Sequence, residues 1–198
     1  MIKIAVTGGI GSGKSVVSNI LTLLDIPVYN ADMESKRLTA SSPLIRKTLT
    51  ERFGDDLYQR DDLHQEWVLN KAKLASLIFS DKEQLMFVNR LIHPIVLQDF
   101  IQWTERINTS LSAIESAILF ESGFDREVKH VICVTAPTEL RIRRAMERDA
   151  VGRQQVIQRM ESQLPDEYIC KQSDFVVYND DVQAIIPQVE KIIREICP

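Results

Sequence analysis

The residues with the plainest chemical content stand near the start of the chain, where Gly8-Gly9-Ile10-Gly11-Ser12-Gly13-Lys14-Ser15 forms the pattern G-x-x-x-x-G-K-S. A loop that wraps a triphosphate turns backbone N–H groups inward, and a Cβ obstructs that conformation; the four glycines remove the obstacle. Lys14 brings a mobile cation to the β- and γ-phosphates, Ser15 offers a hydroxyl to Mg²⁺, and the N-terminus of the following helix adds partial positive charge. Gly9, Ile10, Gly11, Ser12, Gly13, Lys14, Ser15 and Val16 are therefore expected to line a site for a nucleoside triphosphate with Mg²⁺. A dinucleotide fingerprint beginning at Gly9 would need a glycine where Lys14 stands, so NAD is excluded.

Three further groups could take part in phosphoryl transfer. Asp32 follows a short strand candidate, in the region where open α/β sheets place their ligands, and its carboxylate could accept the proton of an attacking hydroxyl; it could equally serve as an N-cap. Glu115 lies within a strand candidate where a magnesium-holding acid is expected, and Glu121 stands at that strand's end; either could hold Mg²⁺ through water, and Glu115 could instead be a paired carboxylate. Six arginines fall between Arg141 and Arg159 against only two nearby acids, Glu147 and Asp149. On a helix Arg141, Arg144 and Arg148 share one face, apart from Ile142 and Met146, which suits a surface closing over phosphates or a merely solvated face.

The elements that would position these groups alternate between strand and helix. Residues 2–7 read as a strand, and Val16, Val17, Ile20, Leu21 and Leu24 predict an amphipathic helix closed by Pro27. Residues 28–30 form a second strand candidate, with helical sequence from Met33 to Leu38 and a helix between Ser42-Pro43 and Gly54. The acidic stretch with Asp55, Asp56, Asp61 and Asp62 reads as a solvated loop. Residues from about 70 to 109 are expected to be helical almost throughout, with Ser80-Asp81-Lys82-Glu83 as a capping box and a kink or a junction of two helices at His93-Pro94. Strands resume over residues 112–120, 131–135 and 174–178, continuous apolar runs that suit a parallel sheet covered on both faces. Pro137 opens the arginine-bearing helix, and Ile185, Ile186, Val189, Ile192, Ile193 and Ile196 mark a C-terminal one. The fold class is α/β.

Composition narrows the setting. A chain of 198 residues that is 44% hydrophobic suits one domain, or one carrying a sizeable insertion. The formal net charge of -4 carries no footprint for nucleic acid, so an anion site has to be local. Cys133, Cys170 and Cys197 have no C-x-x-C spacing and read as buried or incidental thiols in a reducing compartment. With no long apolar leader and no stretch of membrane-spanning length, the expected location is the cytoplasm, with no membrane partner. No three residues show metal-ligand spacing, and His64 and His130 suggest no role.

Thr7 to Ser15, Ala31-Asp32, His93-Pro94, Leu119-Phe120-Glu121 and Arg144 to Asp149 occur in an order that resembles the dephospho-CoA kinases. The likeness continues through Arg159-Met160-Glu161-Ser162-Gln163, similar to the family's R-x-x-x-Q, and through Ser173 to Asn179, similar to its A-D-x-x-I-x-N. The resemblance implies a P-loop kinase with a five-stranded parallel sheet flanked by helices. Its parts would be a core over about 1–32, 110–138 and 172–198, a helical CoA-binding insertion over about 33–109, and a lid over about 139–171. It implies transfer of the γ-phosphate of ATP to the 3′-hydroxyl of dephospho-CoA, with ATP and Mg²⁺ bound and with small-molecule partners only, in a monomer or weak homo-oligomer. Carried over by position, Asp32 is the general base, Lys14 and Ser15 touch phosphate and Mg²⁺, Arg144 and Arg148 are lid arginines with Arg144 catalytic, Asn179 lies near the adenine, and His93 and Glu121 lie near the substrate. The family's Asp-x-Pro-Leu-Leu appears as Glu115-Ser116-Ala117-Ile118-Leu119, and its lid glutamine as Arg141.

Other classes are distinguishable. A GTPase switch would need N-K-x-D, whereas Asn70-Lys71-Ala72-Lys73 lacks the aspartate. A kinase for another small alcohol or nucleoside would show itself in an acceptor panel, and a non-catalytic nucleotide-binding regulator would turn over no ATP with any acceptor.

Overall fold

A computed structural model describes residues 1–61, 66–79 and 81–197. In chain order the elements are β1 (Ile2–Thr7), α1 (Lys14–Leu23), β2 (Val28–Asn30), α2 (Ala31–Ser41), α3 (Pro43–Phe53), β3 (Tyr58–Asp61), β4 (Glu66–Leu69), α4 (Lys71–Phe79), α5 (Lys82–Arg106), β5 (Leu111–Glu115), α6 (Leu119–Ser122), β6 (His130–Thr135), α7 (Thr138–Asp149), α8 (Arg153–Glu161), α9 (Asp166–Gln172), β7 (Phe175–Tyr178) and α10 (Ile185–Ile196). They divide into two compact units, residues 1–30 with 107–198, and residues 31–106.

The first unit is built on a five-stranded parallel sheet of order β2-β5-β1-β6-β7. Alternate residues of each strand face opposite ways, and Ile4, Val6, Leu111, Ala113, Ile132, Val134 and Val177 join Val17 and Leu21 of α1 and Val189, Ile192 and Ile196 of α10 in one core. A smaller apolar cluster of Ile142, Ala145 and Val156 joins α7 to α8. β1 is central and register-paired on both sides, Val6 with Glu115 and Thr7 with Cys133. Its last two residues are thereby held by β5 and β6 at the carboxyl edge of the sheet, where the loop begins.

Among the described residues, the regular elements of the second unit are helices and the hairpin of β3 and β4. α3 begins as its sequence signals: Ser42 Oγ accepts from Ile45 N at 3.4 Å, Pro43 fills the first turn, and Gly54 follows the last residue. Tyr58 of β3 is buried, donates to Thr39 O of α2 at 2.6 Å, and has its pKa pushed up to about 12 by burial.

Several expectations need correction here. The acidic stretch is a 3₁₀ turn over Asp55–Leu57 followed by β3, not a loop, with Asp62 and His64 outside the described residues. α5 runs through His93-Pro94 as one helix, so two separate helices do not meet there. Pro94 faces solvent, while Val88, Ile92, Val96 and Phe100 form a buried row at four-residue spacing that holds the helix across the missing hydrogen bond. Ser80 also lies outside the described residues; Asp81 Oδ1 caps α5 by accepting from Glu83 N at 2.8 Å and Gln84 N at 3.3 Å. The strand expected over 112–120 ends at Glu115, and Leu119, Phe120 and Glu121 belong to α6.

Candidate active site

The loop between β1 and α1 is shaped by where its carbonyls go. A cradle of inward N–H groups is stable only if the carbonyls between them find donors on the outside. Lys14 Nζ donates to Gly8 O at 2.9 Å and Gly9 O at 3.3 Å, Arg141 Nε donates to Ile10 O at 2.9 Å, and Asn179 Nδ2 donates to Ser12 O at 2.8 Å. Gly13 then turns the chain into α1 at φ 95°, and a Cβ there would collide with Asn179 Nδ2. Lys14 and Ser15 occupy the first turn of α1, at the positive end of its dipole; Ser15 and Val16 are exposed. Ser12 Oγ is buried and meets no hydrogen-bond partner among the described residues. The glycine backbone, the cation and the free hydroxyls fit a triphosphate and its Mg²⁺.

The arginines of α7 do not form one solvated face. Arg141 is 3% exposed and ion-paired with Asp166 of α9 over the loop, which corrects the expectation of a surface apart from the apolar residues. Arg144 Nη1 donates to Asn179 O at 3.0 Å and Nη2 to Asn179 Oδ1 at 3.2 Å, with an ion pair to Asp181. Asn179 is thus a buried bridge from α7 to Ser12. Arg148 is exposed and forms a two-point pair with Asp149, which also takes Arg159; these guanidiniums hold the Asp149 carboxyl below its usual range. A cleft of about 640 Å³ lies between α7 and Asp180-Asp181, lined in part by Ile142, Arg143 and Met146.

Glu115 is buried as the last residue of β5, in register with both Val6 and Asn30, at the sheet edge that carries the loop. Glu121, in the first turn of α6, accepts from Leu164 N at 3.2 Å and so holds the segment between α8 and α9. In the second unit Asp32 sits two residues past the end of β2, in the first turn of α2. The helix begins at Ala31, so Asp32 is inside it and is not the N-cap; its carboxylate is exposed and has no hydrogen bond or ion pair among the described residues. His93 is half-buried within α5.

Sequence reading missed Asp166 and the relation of two thiols. Cys133 Sγ of β6 lies 2.7 Å from Cys170 Sγ of α9, and burial together with that neighbour pushes the Cys133 thiol up. Nothing in a spacing of this length marks such a pair, since it exists only because α9 packs on β6.

A family model described as dephospho-CoA kinase matches residues 2–184. Dephospho-CoA kinase of Porphyromonas gingivalis is 45% identical over 99% of this chain and 95% of its own, and that of Bacteroides fragilis strain YCH46 is 42% identical over 97% and 91%. Among solved structures, TT1252 from Thermus thermophilus superposes with a TM-score of 0.84 at 28% identity, covering 100% of this chain and 98% of its own.

Proposed function

Because this chain belongs to the dephospho-CoA kinase family, we propose that Lys14, Asp32 and Arg144 carry its chemistry and that Gly9 to Val16 cradle the phosphates of ATP. Its reaction is the ATP-dependent phosphorylation of the ribose 3′-hydroxyl of dephospho-CoA, giving coenzyme A and ADP. The observation that carries the residue assignment is the loop itself, whose Ile10 and Ser12 carbonyls accept from Arg141 and Asn179 outside it while Lys14 and the start of α1 stand at the carboxyl end of β1.

In this reading Lys14 leaves the carbonyls of Gly8 and Gly9 for the β- and γ-oxygens, a short swing for a flexible ammonium. Mg²⁺ neutralises the phosphate oxygens when bound, and Ser15 would hold it. Asp32 accepts the proton of the ribose hydroxyl, and His93 and Glu121 belong to the substrate side. Arg144 stabilises charge on the transferred phosphoryl group, Arg148 joins it from the far end of α7, and the adenine lies near Asn179. The insertion over about 33–109 receives the CoA end of the substrate and residues 139–171 act as lid. The enzyme works in the cytoplasm as a monomer or weak homo-oligomer; no helix among the described residues is long and apolar enough to cross a membrane.

ATP consumption measured side by side with dephospho-CoA, shikimate, gluconate and nucleosides tests the acceptor. ADP release should depend on dephospho-CoA alone, and equal or faster turnover with another alcohol would displace this reading. For the lid, Arg144→Ala and Arg148→Ala should each lower kcat on the order of tenfold or more with the fold intact. Unchanged kinetics in both single variants and the double would return these arginines to a structural role.

A further inference from the structure

Ile10 is the point at which the phosphate-binding loop meets the helices α7 to α9, and every part of it is held. Its side chain packs against the apolar cluster of Ile142, Ala145 and Val156. Its N–H donates to Gln163 Oε1 at 2.9 Å, and its carbonyl accepts from Arg141 Nε at 2.9 Å. Arg141 is in turn ion-paired with Asp166 at the start of α9, and a Cβ on Gly9 would collide with Arg141 Nη2, so the guanidinium lies directly on the loop. A buried cation is costly unless paired and hydrogen-bonded; here Asp166 supplies the pair and Ile10 O the remaining acceptor.

We propose that Arg141 is a positioning residue for the phosphate-binding loop: clamped by Asp166, it holds the Ile10 carbonyl outward and so presets the cradle that ATP enters. The inference rests on reading Gly8 to Ser15 as the triphosphate site. A planar guanidinium suits the task because one edge meets a carboxylate while Nε serves a separate acceptor, which an ammonium on a flexible stem does not do. Without it the loop keeps its glycines but loses a fixed conformation, and ordering it then opposes ATP binding.

The test compares Arg141→Met, which keeps an apolar stem but donates nothing, with Arg141→Gln, which still offers an N–H to Ile10 O. Arg141→Met should raise both the KM and the calorimetric Kd for ATP about tenfold or more, with the KM for dephospho-CoA changed less than about twofold. Arg141→Gln should stay within about threefold of the parent for ATP. If Arg141→Met fails to fold, the double variant with Asp166→Asn removes the unmatched carboxylate and should show the same selective loss for ATP. Equal ATP affinity in all these variants, with only Tm displaced, would make Arg141 a structural residue and overturn the proposal. Lys14→Ala run alongside separates the two readings: turnover retained there removes the triphosphate assignment itself, whereas turnover lost there with ATP affinity intact in Arg141→Met removes only the role given to Arg141.

Discussion

Asp32→Asn is expected to keep its thermal stability and its affinity for ATP and dephospho-CoA while losing kcat by roughly a hundredfold or more. A ribose hydroxyl is a poor nucleophile near neutral pH, so acceptance of its proton belongs to the chemical step rather than to binding. The substitution is nearly isosteric. Because Asp32 lies in the first turn of α2, its charge also favours the helix dipole, but for an exposed side chain this is worth only about 0.3–1 kcal/mol. A large kinetic loss beside a small shift in Tm would therefore mark the base. Phosphorylation of dephospho-CoA by Asp32→Asn at a near-parental rate would show that the carboxylate does no more than favour its helix.

Lys14→Ala is expected to abolish measurable phosphoryl transfer. The charge that develops on the β- and γ-oxygens loses its mobile cation, a kind of stabilisation whose removal elsewhere costs on the order of a hundredfold to a thousandfold for a single donor. The same change frees the carbonyls of Gly8 and Gly9, so circular dichroism and Tm should be read with the kinetics. A folded Lys14→Ala enzyme that turns over near normally would sink the assignment of the loop.

How much of this was legible in sequence follows from how local each signal is. The glycine loop is eight contiguous residues, so the chemistry proposed for it needs no tertiary contact to be legible. β1, β2, β6 and β7 were legible as short apolar runs between turns, and the parallel sheet followed from their alternation with helices. The apolar pattern overruns β5 because Ala117-Ile118-Leu119-Phe120 stays apolar after the strand stops, and periodicity cannot tell a short buried helix from a strand. The β3–β4 hairpin was missed because its ribbon carries Gln59, Arg60 and Asp61, the composition of a loop. In sequence Arg141 is indistinguishable from its helix neighbours, because its partner Asp166 is brought in only by the turn of the chain between α8 and α9. Asp32 is open between base and cap in the sequence because one residue decides whether a carboxylate stands before a helix or within it.

The strand order β2-β5-β1-β6-β7 has a temporal side. During synthesis β1 leaves the ribosome well ahead of its neighbours, for Ile2 lies against Leu111 and Thr7 against Cys133. At about 5–20 residues per second, on the order of a hundred residues and several seconds separate the central strand from its first partner. Throughout that interval both edges of β1 are open, and the whole of residues 31–106 emerges before either edge can close. The Ile2–Thr7 segment and the glycine loop behind it are thus made well before what fixes them, β5 and β6 for the strand and, later still, Asn179 for the loop.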